Sequence, residues 1–509
     1  MIKSLIGITC FVLGAVPAFS AAETSESKPL KRPNILFAIA DDMSHASAYG
    51  HSWVSTPNFD RLAKEGILFK NAFTTSPKCA PSRAATLGGR HFWQMKSGST
   101  HWSIWPNDIK IYTDLLAENG YHVGLTGKGW APGEYKNRGG RTYNPAGKSY
   151  DEHREKPLTS KMSDLDYSEN FKEFLKTAKP DQPFCFWYGA IEPHRKYERG
   201  SGLKNGLKPE SVKVPSYYPD QPAVRSDLLD YALEVNWFDK YLGEIVEHLR
   251  EIGELDNTLI IATSDNGAPF PRIKGQIYDE DFRLPMVARW GAVHKGGSVV
   301  EDFINNIDIA PTFLEAAGVP IPEGMSGRSF LDIFKANASG FIAPDRDSVC
   351  VGRECQDLGR EEDLGYPVRA IRTKEYLYVH NFAPERWPAG NPETGYTNCD
   401  GSPTKDMILE LHEKGQSEYF HYAFGKKPKE ELYKVTVDPE CLTNLADNPK
   451  YAKVKKTLWH QLKSTLYETQ DPRILGDGDI FERYEYVNRK NGHHSWEAYE
   501  ENRWRPQKY

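Results

Sequence analysis

The sequence predicts an α/β protein: a mostly parallel sheet sandwiched by helices, followed by a smaller C-terminal α+β region with an antiparallel sheet. Three observations carry that reading. Short runs that are apolar throughout alternate with amphipathic helical stretches, the pattern of strands buried on both faces of a layered sheet. Four such runs each lead within a few residues to polar side chains. Past about residue 360 the pattern changes to extended segments joined by a short turn.

Taken in order, residues 1–21 read as a secretory signal: Lys3, an apolar run from Leu5 to Val16, and small residues from Ala18 to Ala22. The run is shorter than the roughly 20 residues a spanning helix needs, and no later stretch could span. The expectation is an exported protein, periplasmic or secreted, with no membrane span. Residues 30–360 form the expected larger domain. Its buried strands are 34–40, 121–125, 184–189 and 259–262, separated by helices over 58–65, 111–119 and 226–252. Residues 133–161, rich in Gly, Asn, Lys and Arg, read as a surface loop. Residues 361–509 form the expected C-terminal domain, with strands 368–372 and 376–380 joined at Thr373-Lys374-Glu375, an extended segment from Glu431, and a helix over 451–468.

Composition fits this plan. At 509 residues a large core with a smaller second domain is expected. A hydrophobic content of 39% indicates a packed globular protein. The net charge of −6 argues against non-specific nucleic-acid binding, while leaving room for a local cationic pocket. Without Cys10 of the signal six cysteines remain, and setting Cys79 aside leaves five, an odd count that leaves at least one thiol unpaired. Cys185, inside Phe184-Cys185-Phe186-Trp187, reads as a small core residue.

The chemistry concentrates at the strand ends, where open parallel sheets bind their ligands. Asp41-Asp42 and Asp265-Asn266 offer three carboxylates and an amide oxygen, hard ligands suited to Ca²⁺ or Mg²⁺. Alone, each pair reads equally as a helix cap or a turn. In Cys79-Ala80-Pro81-Ser82-Arg83, Pro81 favours the first helical turn. Residue 79 then lies beside free N–H groups that favour an anion. Arg83, about one turn on, suits charge-assisted bonds to an oxyanion. Lys128 and Lys274 are candidates for charge developing on a bound anion, and His194, in Glu192-Pro193-His194-Arg195, for acid–base work.

The Cys79–Arg83 segment resembles the signature of the type I sulfatases of the alkaline phosphatase superfamily. The resemblance extends from about Arg32 through Asp438-Pro439 and Asn444-Leu445-Ala446. It is nearest to the sulfamidase (heparan N-sulfatase) branch and its bacterial relatives, through Ser264-Asp265-Asn266-Gly267-Ala268-Pro269-Phe270-Pro271, Glu192-Pro193-His194-Arg195 and Tyr366-Pro367-Val368-Arg369. The resemblance implies that Asp41, Asp42, Asp265 and Asn266 bind one calcium ion. It also implies that a maturation enzyme converts Cys79 to Cα-formylglycine, itself a ligand. In that chemistry one hydroxyl of the hydrated aldehyde attacks sulfur and the other expels sulfate, which is covalent catalysis with a built-in release. Arg83, Lys128, His194 and Lys274 fall at positions that handle sulfate or support the nucleophile.

Three departures stand out. Gly88-Gly89 replaces the usual Thr-Gly, and Trp130 stands where many sulfatases have a histidine, leaving His91 or His101 to take over. Lys274 aligns with an arginine of the sulfamidase. The expected substrate is a sulfated polysaccharide, either a marine algal polymer such as ulvan or a glycosaminoglycan such as heparan sulfate. The alternatives are sulfamidase action, phosphoester hydrolysis on the same fold, or a catalytically inactive carbohydrate binder. Retention of Cys79, Arg83, Lys128 and all four ligand candidates argues against the inactive binder. Phosphoester hydrolases on this fold commonly place histidines among their ligands to hold two transition metals, whereas Asn266 stands here after Asp265, which favours one calcium.

Overall fold

In the computed structural model of the chain, the described residues are Met1, 31–487 and 495–509. The chain divides into two units, Met1–Lys31 and Arg32–Tyr509, and among the described residues all strands and helices belong to the second. The expected signal lies outside the described residues, Met1 apart. Among the described residues no helix is long and apolar enough to cross a membrane.

The first ten strands are β1 (Asn34–Ala40), β2 (Ile67–Phe73), β3 (Ser103–Ile104), β4 (His122–Gly127), β5 (Gly133–Glu134), β6 (Lys148–Ser149), β7 (Phe184–Gly189), β8 (Thr258–Ser264), β9 (Arg283–Arg289) and β10 (Ser298–Asn305). Eight of them form one sheet in the order β10-β2-β9-β8-β1-β7-β4-β6, while β3 and β5 pair separately. Strand β1 runs parallel to β7 and β8, β4 parallel to β6 and β7, and β10 parallel to β2. Only β9 runs against its neighbours β2 and β8. The period-2 alternation of a strand explains why the central runs are apolar at every position. Leu36, Ala38 and Ala40 join one core with the helix Pro222–Glu251, while Ile35, Phe37 and Ile39 join a second core with the helices Cys79–Gly88, Tyr112–Glu118 and Ile309–Ala316.

Apolar runs identify four strands of this sheet and miss β2, β9 and β10. Strand β2 carries Lys70 and Asn71 where it is open to solvent, which breaks the apolar run. The 133–161 loop also contributes the edge strand β6.

A second sheet, β11 (Ser348–Arg353), β12 (Val368–Thr373), β13 (Tyr376–Asn381) and β14 (Glu430–Lys434), is antiparallel throughout. The helix Ala452–Glu468 lays Leu458, Leu462 and Leu466 over Ile371, Tyr378 and Leu432. Its first strand begins at Ser348, upstream of 361, and leads to Asp357, which lines the same cavity as Cys79.

Candidate active site

Every parallel strand that matters ends on one edge of the large sheet. There β1 presents Asp41 and Asp42, β8 presents Asp265 and Asn266, β4 leads to Lys128, and β7 leads to His194. Asp42 adopts a left-handed backbone, φ 75°, a conformation that Asp tolerates better than most residues. Its amide N–H donates to Asp265 Oδ1 at 3.1 Å, so the strand end of β1 is tied to the carboxylate after β8.

Cys79 is the first residue of the helix Cys79–Gly88, whose ten residues are all buried. Lys78 precedes it in extended conformation, and Pro81 lies in the first turn, as the sequence predicts. Ser82 fastens the helix: its hydroxyl donates to the Asp265 carbonyl at 2.6 Å and accepts from Thr74 Oγ1 at 2.9 Å. Asn306 clamps the same turn, donating to the Ser82 carbonyl at 3.1 Å and to Thr86 Oγ1 at 2.9 Å. At the far end Gly89 closes the helix at φ 59°, where a Cβ would meet Met325 Sδ at 3.0 Å and Ala310 Cβ at 3.1 Å. A Cβ on Gly88 would lie 2.6 Å from Met95 Sδ. The Gly88-Gly89 departure therefore has a packing cause.

These elements bring all nine predicted residues together. Cys79 Sγ lies 3.8 Å from Asp42 Oδ1. Arg83, fully buried, donates from Nε to Asp265 Oδ2 at 2.7 Å and from Nη1 to the Lys128 carbonyl at 2.6 Å. The Lys128 ammonium donates to Asp41, and Lys274 Nζ donates to Asp42 Oδ2 at 2.6 Å. His194 Nε2 is 3.9 Å from the same Asp42 oxygen. Asn266 Nδ2 donates to Asp42 Oδ1 at 2.7 Å.

Electrostatics sort these groups. Burial alone would raise Asp41, but Lys128, His194, Arg83 and Lys274 outweigh it and hold the carboxyl well below its usual range. Burial pushes Asp265 up, against the pull of Arg83. Burial also opposes the charge on Lys274, yet Asp400 and Asp42 keep it protonated. For Cys79, burial and then Asp41 push the thiol far up. An unmodified thiol here is a poor nucleophile.

A hard divalent cation fits the donor set. One carboxylate oxygen from each of Asp41, Asp42 and Asp265 lies within 4.8 Å of the others, all three residues being buried. Asp41 Oδ1 and Asn266 Oδ1 are buried with no hydrogen-bond partner among the described residues. Buried carboxylates this close repel unless cations compensate, and oxygen donors suit Ca²⁺ or Mg²⁺.

Sequence reasoning missed part of the lining of the site. Cys79, Lys128, His194 and Lys274 border a cavity of about 430 Å³, which Lys78, Asp357 and Asp400 also line. Lys274 Nζ is 3.2 Å from Asp400. Of the two histidines considered for the missing role, His101 lines this cavity. His91 instead stacks on Trp93 with ring centroids 4.4 Å apart. Trp130 is buried, and its indole N–H donates to the Ala80 carbonyl at 3.1 Å.

The sheet order is that of an alkaline-phosphatase-like fold, and comparison with solved structures agrees. A protein solved in complex with its substrate D-glucosamine-2-N,6-O-disulfate superposes with a TM-score of 0.64 at 20% identity, covering 87% of this chain and 99% of that one. The phosphonate monoester hydrolase of Silicibacter pomeroyi does so at 0.63 and 17%, covering 86% and 96%. The family profile described as Sulfatase matches residues 33–319, and that described as N-sulphoglucosamine sulphohydrolase, C-terminal, matches 273–387. An ulvan-active sulfatase of Formosa agariphila is 31% identical over 481 residues, 90% of this chain and 86% of its own. The human N-sulphoglucosamine sulphohydrolase is 28% identical over 496 residues, 88% of this chain and 93% of its own. The chain belongs to the sulfatase family, on its sulfamidase-like branch.

Proposed function

We propose that this enzyme is an exported sulfatase that removes sulfate from a sulfated polysaccharide or oligosaccharide, using a formylglycine made from Cys79 and one calcium ion. The observation that carries the reading is the position of Cys79: first residue of a buried helix, 3.8 Å from Asp42, on a cavity bordered by Lys128, Lys274 and His194. Asp41, Asp42, Asp265 and Asn266 would hold the calcium, which supplies fixed positive charge beside residue 79. Converted to formylglycine, residue 79 supplies a hydrated aldehyde, with one hydroxyl for attack on sulfur and another for release of sulfate.

The remaining groups bind and orient. Lys128 and Lys274 both line the cavity and suit the oxygens of a sulfate, where charge grows in the transition state. His194 lines the same cavity and can hold or deliver a proton at Nε2, because its Nδ1 is engaged by the Arg195 carbonyl. Arg83 does not reach into the cavity; it fixes the Asp265 carboxylate and the Lys128 backbone, keeping the ligand edge in register. The named activities of the relatives support ulvan or a glycosaminoglycan such as heparan sulfate as substrate.

Two measurements test the proposal. Mass spectrometry of the peptide containing residue 79 should show thiol-to-aldehyde conversion by a maturation enzyme; unmodified cysteine in fully active enzyme would sink the mechanism. Sulfate release should be detected from ulvan or heparan sulfate oligosaccharides. Faster phosphate release from phosphate monoesters would favour phosphoester hydrolysis instead.

A further inference from the structure

The charged groups around the cavity differ in exposure. Beside Cys79 the Lys128 side chain is 14% and the His194 imidazole 34% exposed, while Asp41 and Asp42 are at 1% and 0%. Lys78 and Lys274 are each 5% exposed, and their carboxylate partners are the more open, Asp357 at 19% and Asp400 at 30%; these two carboxylates form the outer wall. Lys274 joins the two parts, donating to Asp42 and pairing with Asp400. A molecule entering the site meets the Lys128 ammonium and, at the outer wall, two hydrogen-bond acceptors.

The outer wall is held firmly. Asp357 accepts from Lys78 Nζ at 2.6 Å, pairs with His101 Nδ1 at 2.8 Å, and accepts from the Tyr486 hydroxyl at 3.4 Å. Burial opposes its charge, but Lys78 and His101 hold it far below the usual carboxylate range. His101 is 8% exposed, and with Nδ1 committed to Asp357 its Nε2 has no hydrogen-bond partner among the described residues. Next to it, Trp102 lines the cavity from a left-handed backbone, φ 50°, which is strained for a bulky side chain. The Trp102 carbonyl is pinned by the Val487 N–H at 2.7 Å. Strain of this kind is kept where a side chain has a placement to fulfil.

We propose, resting on the sulfatase reading of this site, that Asp357, Asp400, His101 and Trp102 form a sugar subsite. It takes free hydroxyls of the ring that carries the scissile sulfate, and it thereby selects a monosulfated sugar over one bearing a second sulfate at that wall. A sugar hydroxyl donates readily to a fixed carboxylate, and the Trp102 ring offers an apolar face to the pyranose. A second sulfate would meet the two outer-wall carboxylates, the like-charge arrangement by which sites reject wrong partners.

The experiment uses the mature enzyme with glucosamine, galactosamine and rhamnose, each as monosulfate and disulfate, and with 4-nitrophenyl sulfate, which has no sugar. The expected result is a kcat/KM at least about 10-fold higher for the best monosulfate than for its disulfated counterpart. Asp357→Asn and Asp400→Asn should each cost about 10- to 100-fold on that monosulfate, the range for a lost hydrogen bond to a charged group. The loss should fall mainly in KM, exceed the loss on 4-nitrophenyl sulfate, and narrow the gap between monosulfate and disulfate. Trp102→Ala should raise KM for the sugar in the same direction, and thermal midpoints check that each variant is folded. Equal or better use of the disulfate by the wild type, or equal losses on sugar and aryl substrates in both Asp variants, would overturn the subsite. If the wild type released sulfate from none of these compounds, the sulfatase reading itself would fail and the subsite with it.

Discussion

Replacing Trp130 by phenylalanine tests why this chain lacks a histidine two residues after Lys128. The Trp130 indole N–H donates to the Ala80 carbonyl at 3.1 Å, and its ring meets Trp105 edge-on at 5.0 Å. The ring also fills the space over Gly133, where a Cβ would come within 2.2 Å of it. Trp130→Phe keeps most of the aromatic burial and removes the donor. The Ala80 carbonyl retains its helical bond, so the lost second bond is worth about 1 kcal/mol. A void on the order of 40 Å³, at ~24 cal/mol per Å³, adds about 1 kcal/mol. The variant should therefore lose about 2 kcal/mol in urea unfolding. Because Ala80 follows residue 79, slack in that peptide should also displace the nucleophile, and misplacement approaching 1 Å costs roughly 100-fold. With 4-nitrophenyl sulfate, kcat should fall about 10- to 100-fold with little change in KM. Trp130→His should be no more active than the phenylalanine variant. Unchanged stability and kcat in Trp130→Phe, or a gain of activity in Trp130→His, would refute this reasoning.

Other perturbations have equally definite outcomes. Asp265→Ala leaves the buried Arg83 guanidinium without its 2.7 Å partner. It should cost about 3–5 kcal/mol by denaturant unfolding and lower turnover by several orders of magnitude; substantial residual turnover would remove Asp265 from the site. Gly89→Ala forces a side chain into φ 59° against Met325, and should cost roughly 1–2 kcal/mol, read as a shift in urea midpoint. Burial, only partly offset by Asp471, lowers His91 from 6.5 to about 4. Between those values the unfolded chain binds a proton that the folded chain refuses, so stability falls as pH drops through that window. His91→Gln should flatten that part of the stability profile, and identical slopes in both proteins would show that His91 does not drive it.

The inner half of the site was legible in the sequence for a physical reason. A strand buried on both faces writes itself as an unbroken apolar run, so the polar residue that ends it is easy to see. Asp41, Lys128, His194 and Asp265 all follow such runs. The outer half obeys no such rule. Asp357 and Asp400 sit in irregular segments after residue 353, and only tertiary folding brings them to the cavity that Cys79 lines. His101 was visible as one of two histidines, and only packing separates it from His91. Strands β2, β9 and β10 escaped notice because polar residues interrupt them or because they lie outside the parallel run.

The reversed strand β9 has a consequence for how the site can change. Strand β8 ends, and β9 begins, on the same edge of the sheet, so the chain between them returns without crossing a face. Asp265, which faces the carboxylate cluster, and Lys274, which faces the incoming anion, are thereby carried on one short excursion. Grafting the segment 265–282 from a relative would exchange the grip on the cation and one grip on the anion in a single step. Altering Asp357 would leave both grips in place, whereas altering Asp400 would loosen Lys274, its partner at 3.2 Å.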